Sequence, residues 1–158
     1  MNVELYERIW MGMAVVLLAL FVGTILVTAT TQAMAPPSHM ETIDPQNIAN
    51  YPEFANPSVA VQPDGSVRVS ILAQMFSFQP DPIEVPPNRP VTFRLTSSDV
   101  IHGFEVVGTN AQAMAMPGYV SQFTVTFKKP GTYTIGCNEY CGLMHHNMVG
   151  KLIVKESQ

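Results

Sequence analysis

Cys137-Asn138-Glu139-Tyr140-Cys141-Gly142-Leu143-Met144-His145-His146-Asn147-Met148 is the stretch on which the reading of this chain turns. It spaces two thiols, an imidazole and a thioether as C-x3-C-x3-H-x2-M. Thiolate and thioether are soft ligands, and together with imidazole they select copper over hard cations. The donors are too close in sequence to sit on separate elements, so the spacing predicts one loop folded around metal at the end of a rigid scaffold. A mononuclear electron-transfer site takes one Cys, two His and a weak axial Met. Cys137, His145 and Met148 supply most of that set, and the second thiol is surplus to it. Two thiolates side by side can each bridge two metal ions, so that each copper meets two sulfurs and one imidazole. Met148 and a backbone carbonyl, that of Glu139, then remain as weak axial ligands. The reading therefore favours two copper ions over one. No open coordination position is left for a substrate, which suits electron transfer.

Other readings compete for these residues one at a time. Two cysteines in an exported domain are an ordinary disulfide pair. Zinc would use the thiols and imidazole, but Met is a poor zinc ligand and a fourth Cys or His would be wanted. A single Met is more often core packing. Jointly, at this spacing, the donors point to copper.

Around this loop the chain has 158 residues and a net charge of −4, with no basic stripe to suit a nucleic acid. From Ile9 to Met40 there is no Asp, Glu, Lys or Arg. The apolar run Ile9 to Ala29, about 21 residues or roughly 31 Å as a helix, matches a bilayer core of about 30 Å. Tyr6 and Trp10 lie where an interfacial aromatic belt would be. Ala33-Met34-Ala35 has the look of a signal-peptide cleavage site, but Glu4 and Glu7 give the flank the wrong charge and the run is too long for a signal. Residues 1–33 are thus expected to be a retained anchor helix, with the N-terminus cytoplasmic and the thiol-bearing domain outside.

Residues 34–57, with Pro36, Pro37, Pro45, Pro52 and Pro57, read as an extended linker. From residue 58 to 158 the pattern is β. Asp64-Gly65 between two Val-rich runs predicts a hairpin with a primed turn. Val91-Thr92-Phe93-Arg94-Leu95 and Phe123-Thr124-Val125-Thr126-Phe127 alternate, and Pro80-Asp81-Pro82, Pro86-Pro87-Asn88 and Lys129-Pro130-Gly131 punctuate. Short strands at regular spacing predict an all-β antiparallel sandwich of about 100 residues. The ligand loop joins its last two strands.

A second imidazole is needed, and Ser97-Ser98-Asp99-Val100-Ile101-His102-Gly103-Phe104 offers it where the chain leaves a strand for a loop. His102 then gives one terminal nitrogen per copper. His39 sits in the linker and does not compete, and only spacing ranks His145 above His146.

With His102 placed, the chain resembles the binuclear copper (CuA) domain of cytochrome c oxidase subunit II, nearest the short, single-span subunit of B-type haem–copper oxidases. The residues that carry the resemblance are Gln79-Pro80-Asp81-Pro82-Ile83-Glu84-Val85-Pro86, Ser98 to Phe104, and Cys137 to Leu143. The resemblance implies a cupredoxin-like Greek-key sandwich or barrel behind one transmembrane helix, with His102, Cys137, Glu139 (through its carbonyl), Cys141, His145 and Met148 as ligands. It implies a non-catalytic electron-transfer subunit, which accepts electrons from cytochrome c or a similar small donor and passes them to haem in subunit I. The complex would reduce oxygen to water and translocate protons. Phe76 and Phe78, next to Gln74, are the expected point at which electrons arrive. A copper subunit of a nitric oxide reductase and a membrane-anchored mononuclear carrier are the alternative functions.

Overall fold

Apolar–polar alternation makes strands of most of the chain beyond residue 58, while a run that is apolar on every side makes a helix ahead of it. The computed structural model describes residues 3–31 and 41–155, and these fall in two units, Met1–His39 and Met40–Gln158. In the first, α1 (Val3–Thr31) is one continuous helix. Its polar hydroxyls turn inward on the backbone: Thr24, Thr28 and Thr30 donate to the carbonyls of Leu20, Thr24 and Leu26 at 2.8–2.9 Å. An apolar surrounding would therefore meet no bare hydroxyl on this turn of the helix.

The second unit holds β1 (Glu41–Thr42), β2 (Val59–Val61), β3 (Val67–Gln74), β4 (Ser77–Gln79), β5 (Ile83–Val85), β6 (Pro90–Ser97), β7 (His102–Val106), β8 (Gln112–Ala115), β9 (Tyr119–Thr126), β10 (Gly131–Gly136) and β11 (Val149–Val154). One sheet runs in the order β1-β9-β6-β3-β2, with β4 also paired to β3, and the other β5-β11-β10-β7-β8. Inward residues of both sheets meet in one core: Val67, Val69 and Ile71 of β3, Val91, Phe93 and Leu95 of β6, and Phe104, Ile135 and Leu152 opposite them are all fully buried. Phe93 stacks on Phe123 with centroids 5.1 Å apart and lies 5.6 Å from Phe104. Truncating a ring so enclosed costs about 3–5 kcal/mol.

The all-β sandwich is as expected, but it is not wholly antiparallel: β3 pairs with β6, and β5 with β11, in parallel. The cause is Pro80-Asp81-Pro82, which carries the chain from β4 in one sheet to β5 in the other. Asp81 pins that crossing by accepting from the Lys151 amide of β11 at 2.8 Å. The hairpin at Asp64-Gly65 also differs from the primed turn. Gly65 has φ +82° but Asp64 is not left-handed, and the Gln62 and Ser66 backbones pair across a longer loop. A single left-handed glycine suits such a loop, whereas a type I′ turn needs two left-handed residues.

Of the expected linker, residues 34–40 lie outside the described residues, and residues 41–57 are not extended. β1 adds to β9, a 3-10 helix spans Pro45–Asn50, and α2 (Pro52–Ala55) follows. Pro45 and Pro52 each open a helical turn, where the missing N–H would have been unpaired in any case. Ile43 and Phe54 are buried with Val120. Arg94 on β6 ties the segment down through Glu53 (Nε to Oε1, 2.7 Å) and Glu41 (Nη2 to Oε2, 2.8 Å).

Candidate metal centre

β10 ends at Gly136 and β11 begins at Val149, so the expected ligand loop spans the gap between two paired strands. Its mouth is closed by the Cys137 amide donating to the Met148 carbonyl at 3.2 Å. Within it, the His145 amide donates to the Gly142 carbonyl and the Met148 amide to the His145 carbonyl, forming a 3-10 turn at His145–Asn147. This folding brings the donors together. Cys137 Sγ lies 3.8 Å from Cys141 Sγ and 3.2 Å from the Glu139 carbonyl. Cys141 Sγ lies 3.6 Å from His145 Nδ1 and 3.7 Å from Met148 Sδ. Both cysteines are free thiols, not a disulfide.

His102 joins from the neighbouring strand. It is not in a loop, as expected, but is the first residue of β7, paired with Ala115 of β8. Strand geometry fixes its side chain toward the core, where it is fully buried. One nitrogen of its ring and the two sulfurs lie within 4.8 Å of one another. Its Nε2 meets Asp99 Oδ1 at 2.8 Å, while Nδ1 is buried with no hydrogen-bond partner among the described residues. Buried polar atoms are almost always satisfied. An orphaned imidazole nitrogen beside two thiols is therefore the mark of a place built for a metal.

The electrostatics agree. Burial, the neighbouring Cys137 thiol and the nearby Asp99 carboxylate push the Cys141 thiol up to about 11. A thiol that resists ionisation by itself becomes a thiolate when a cation supplies the missing charge. Burial raises Asp99 as well. Hydrogen bonds from His102, the Met75 and Val100 amides and Ser97 outweigh it and hold the carboxyl below its ordinary value.

Of the predicted residues, His102, Cys137, Cys141, His145, Met148 and the Glu139 carbonyl thus converge. His146 is exposed. Phe78 does not meet solvent: it is 2% exposed and sits edge-on to Phe104 in the core, because the alternation of β4 points it inward. Phe76 is half-buried, and its ring packs against Gly142. His39 lies outside the described residues.

Two further residues shape the site and were not singled out. Asp99 stands three before His102 and fixes its tautomer, the ordinary partner of a ligand histidine. Gly103 lets the loop cross β7, since a Cβ there would lie 1.8 Å from Asn138 Oδ1 and 2.8 Å from the Glu139 amide nitrogen.

Comparison with known proteins gives a consistent result. The family model described as "Cytochrome C oxidase subunit II, periplasmic domain" matches residues 65–157. A cytochrome c oxidase subunit 2 from Thermus thermophilus is 42% identical over 155 residues, 96% of this chain and 92% of that protein. A chain in a cryo-EM structure of a haem–copper terminal oxidase dimer superposes with a TM-score of 0.73 at 30% identity, covering 94% of this chain and 99% of that one. The periplasmic domain of subunit II of a Bradyrhizobium japonicum cytochrome oxidase shares the fold, with a TM-score of 0.53 at 20% identity over 64% of this chain and 88% of that one. The β unit is thus cupredoxin-like, and the chain belongs to the cytochrome c oxidase subunit II family.

Proposed function

We propose that this chain is the electron-accepting subunit of a haem–copper terminal oxidase. His102, Cys137, Cys141, His145, Met148 and the Glu139 carbonyl would hold a binuclear copper centre, which would supply the one-electron couple between cytochrome c or a similar small donor and haem in subunit I, where oxygen would be reduced to water with proton translocation. α1 spans the bilayer with its N-terminus inside, and the copper domain faces outward.

The observation that carries the reading is the second thiol: Cys141 sits 3.8 Å from Cys137, next to its own imidazole and thioether. Copper, when bound, supplies a one-electron couple shared over two ions. The chain's part is to hold that couple still. The Cys137–Met148 backbone bond closes the loop, Asp99 locks His102 as the Nε2–H tautomer, and burial of His102, Cys141 and Met148 keeps water out. A framework that does not move on gaining or losing charge lets electrons pass with little rearrangement.

Copper content and electron paramagnetic resonance of the full chain in detergent test this. Two coppers per chain, with hyperfine structure from an electron shared by both nuclei, are expected. Cys141→Ser should abolish the shared signal and most electron transfer. One copper with single-nucleus splitting would reduce the chain to a mononuclear carrier.

A further inference from the structure

An exposed methionine alone needs no explanation, but Met75 is an exposed methionine held in place at the rim of the metal loop. Its side chain is half in solvent, at 50% exposure. Its sulfur lies 3.6 Å from where a Cβ on Gly142 would stand, beside two Phe76 ring carbons at 3.3 Å. Gly142 directly follows Cys141 and has φ +131°, so the loop bares its backbone to this side chain. The Met75 amide donates to Asp99 Oδ2 at 2.7 Å, while Oδ1 of the same carboxylate meets His102 Nε2. One carboxylate therefore ties the buried His102 ring to the backbone of Met75. Further in lie Cys141, 4% exposed, and Met148, 1% exposed, with their sulfurs 3.7 Å apart. Exposure of these soft donors thus falls from Met75, beside Gly142, to Cys141 and Met148.

From this we infer that Met75 is a transient Cu(I)-binding residue through which the loop is loaded, an inference that rests on the copper-centre reading above. A thioether takes Cu(I) readily and holds it more weakly than a thiolate does. Cu(I) arriving from solvent binds the Met75 sulfur and moves to Cys141. The Cys141 thiol proton leaves to solvent as the copper–sulfur bond forms. No electron changes hands, and copper enters and stays as Cu(I).

The test uses the full chain in detergent, metal-free and reduced, mixed anaerobically with Cu(I) held by bicinchoninate. Loss of the coloured chelate reports the rate, and its plateau the copper bound. Met75→Leu keeps the volume and removes the soft donor, so uptake should slow roughly tenfold to an unchanged plateau. Met75→His exchanges one copper donor for another and should return the rate to within about threefold of the parent. Uptake by Met75→Leu at the parent's rate would overturn the inference. So would equal slowing in both variants, which would make the effect one of packing, or a lowered plateau, which would make Met75 a resident ligand. A parent chain that takes up no copper would instead sink the copper-centre reading, and this inference with it.

Discussion

Asp99 and Gly103 flank His102, and each does a job that no ligand can do for itself. Among the described residues Asp99 gives the His102 ring its only hydrogen bond, at Nε2, and leaves Nδ1 unpaired. Asp99→Ala should leave the fold intact but weaken copper about 10- to 100-fold, the usual loss when a ligand histidine's partner is removed. Equilibrium competition with a chelator reads this. Asp99→Asn should fall between, because its amide can still offer His102 an oxygen while its nitrogen opposes the Met75 N–H. Unchanged affinity in both variants would mean the carboxylate does not orient the ring. Gly103 is needed for space. Gly103→Ala sets a methyl against Asn138 and the Glu139 backbone, and should lower the stability of the metal-free protein by about 1–3 kcal/mol. Adding Asn138→Ala removes the side-chain clash but not the contact with the Glu139 amide nitrogen. The double variant should therefore recover only part of the loss in a urea melt. Full recovery would show that the backbone is free to give.

At the scale of elements, the segment from β1 to α2 is held to the sandwich by the β1–β9 pairing, by buried Ile43 and Phe54, and by one charged side chain. Arg94 reaches Glu41, Glu53 and Gln122, and Ser70 adds a bond to Glu53. Burial works against the Arg94 charge, but its bonds and charge pairing with Glu53 and Glu41 raise its already high pKa further, so the cation persists at any working pH. Arg94→Met would leave Glu53 part-buried with Ser70 as its remaining partner. The expected cost is about 2 kcal/mol, below that of a fully buried pair because Glu41 and Glu53 still see water. Residues 41–57 should become open to proteolysis, and the difference from the parent should narrow in high salt. Equal protease resistance would show that Ile43 and Phe54 hold the segment unaided. This docking was not legible in the sequence, where the prolines mask two short helical starts and the burying residues are few. The clean alternation of β6 and the donor spacing of the loop were legible, because each records a local geometry directly. The parallel pairings were not, since they follow from a change of sheet at Pro80-Asp81-Pro82 that no local pattern records. The inward place of Phe78 was not legible for a related reason: an exposed and an inward aromatic look alike until the partner sheet is known.

For the molecule as a whole, the two units answer to different surroundings. The β unit buries its apolar faces against each other. Among the described residues none of α1's apolar window is buried, and Leu17, Leu18 and Phe21 are each more than 60% exposed. Leaving such a helix in water forfeits the main force that orders a chain. The span Val3–Thr30 has 28 residues and would reach about 42 Å as a helix, so its end carrying Glu4, Glu7 and Arg8 would extend beyond a hydrocarbon core of about 30 Å into the interface. The internal bonding of Thr24, Thr28 and Thr30 suits that setting. If α1 is a retained anchor, the chain should stay with the membrane through alkaline extraction, and its intact mass should include the helix. If instead the segment is cleaved near Ala33-Met34-Ala35, the mass should begin close to Pro36 and the β unit should appear in the soluble fraction. The second result would separate the copper domain from its anchor and, with it, from any fixed position beside a haem-bearing partner. The first would keep the domain within reach of one.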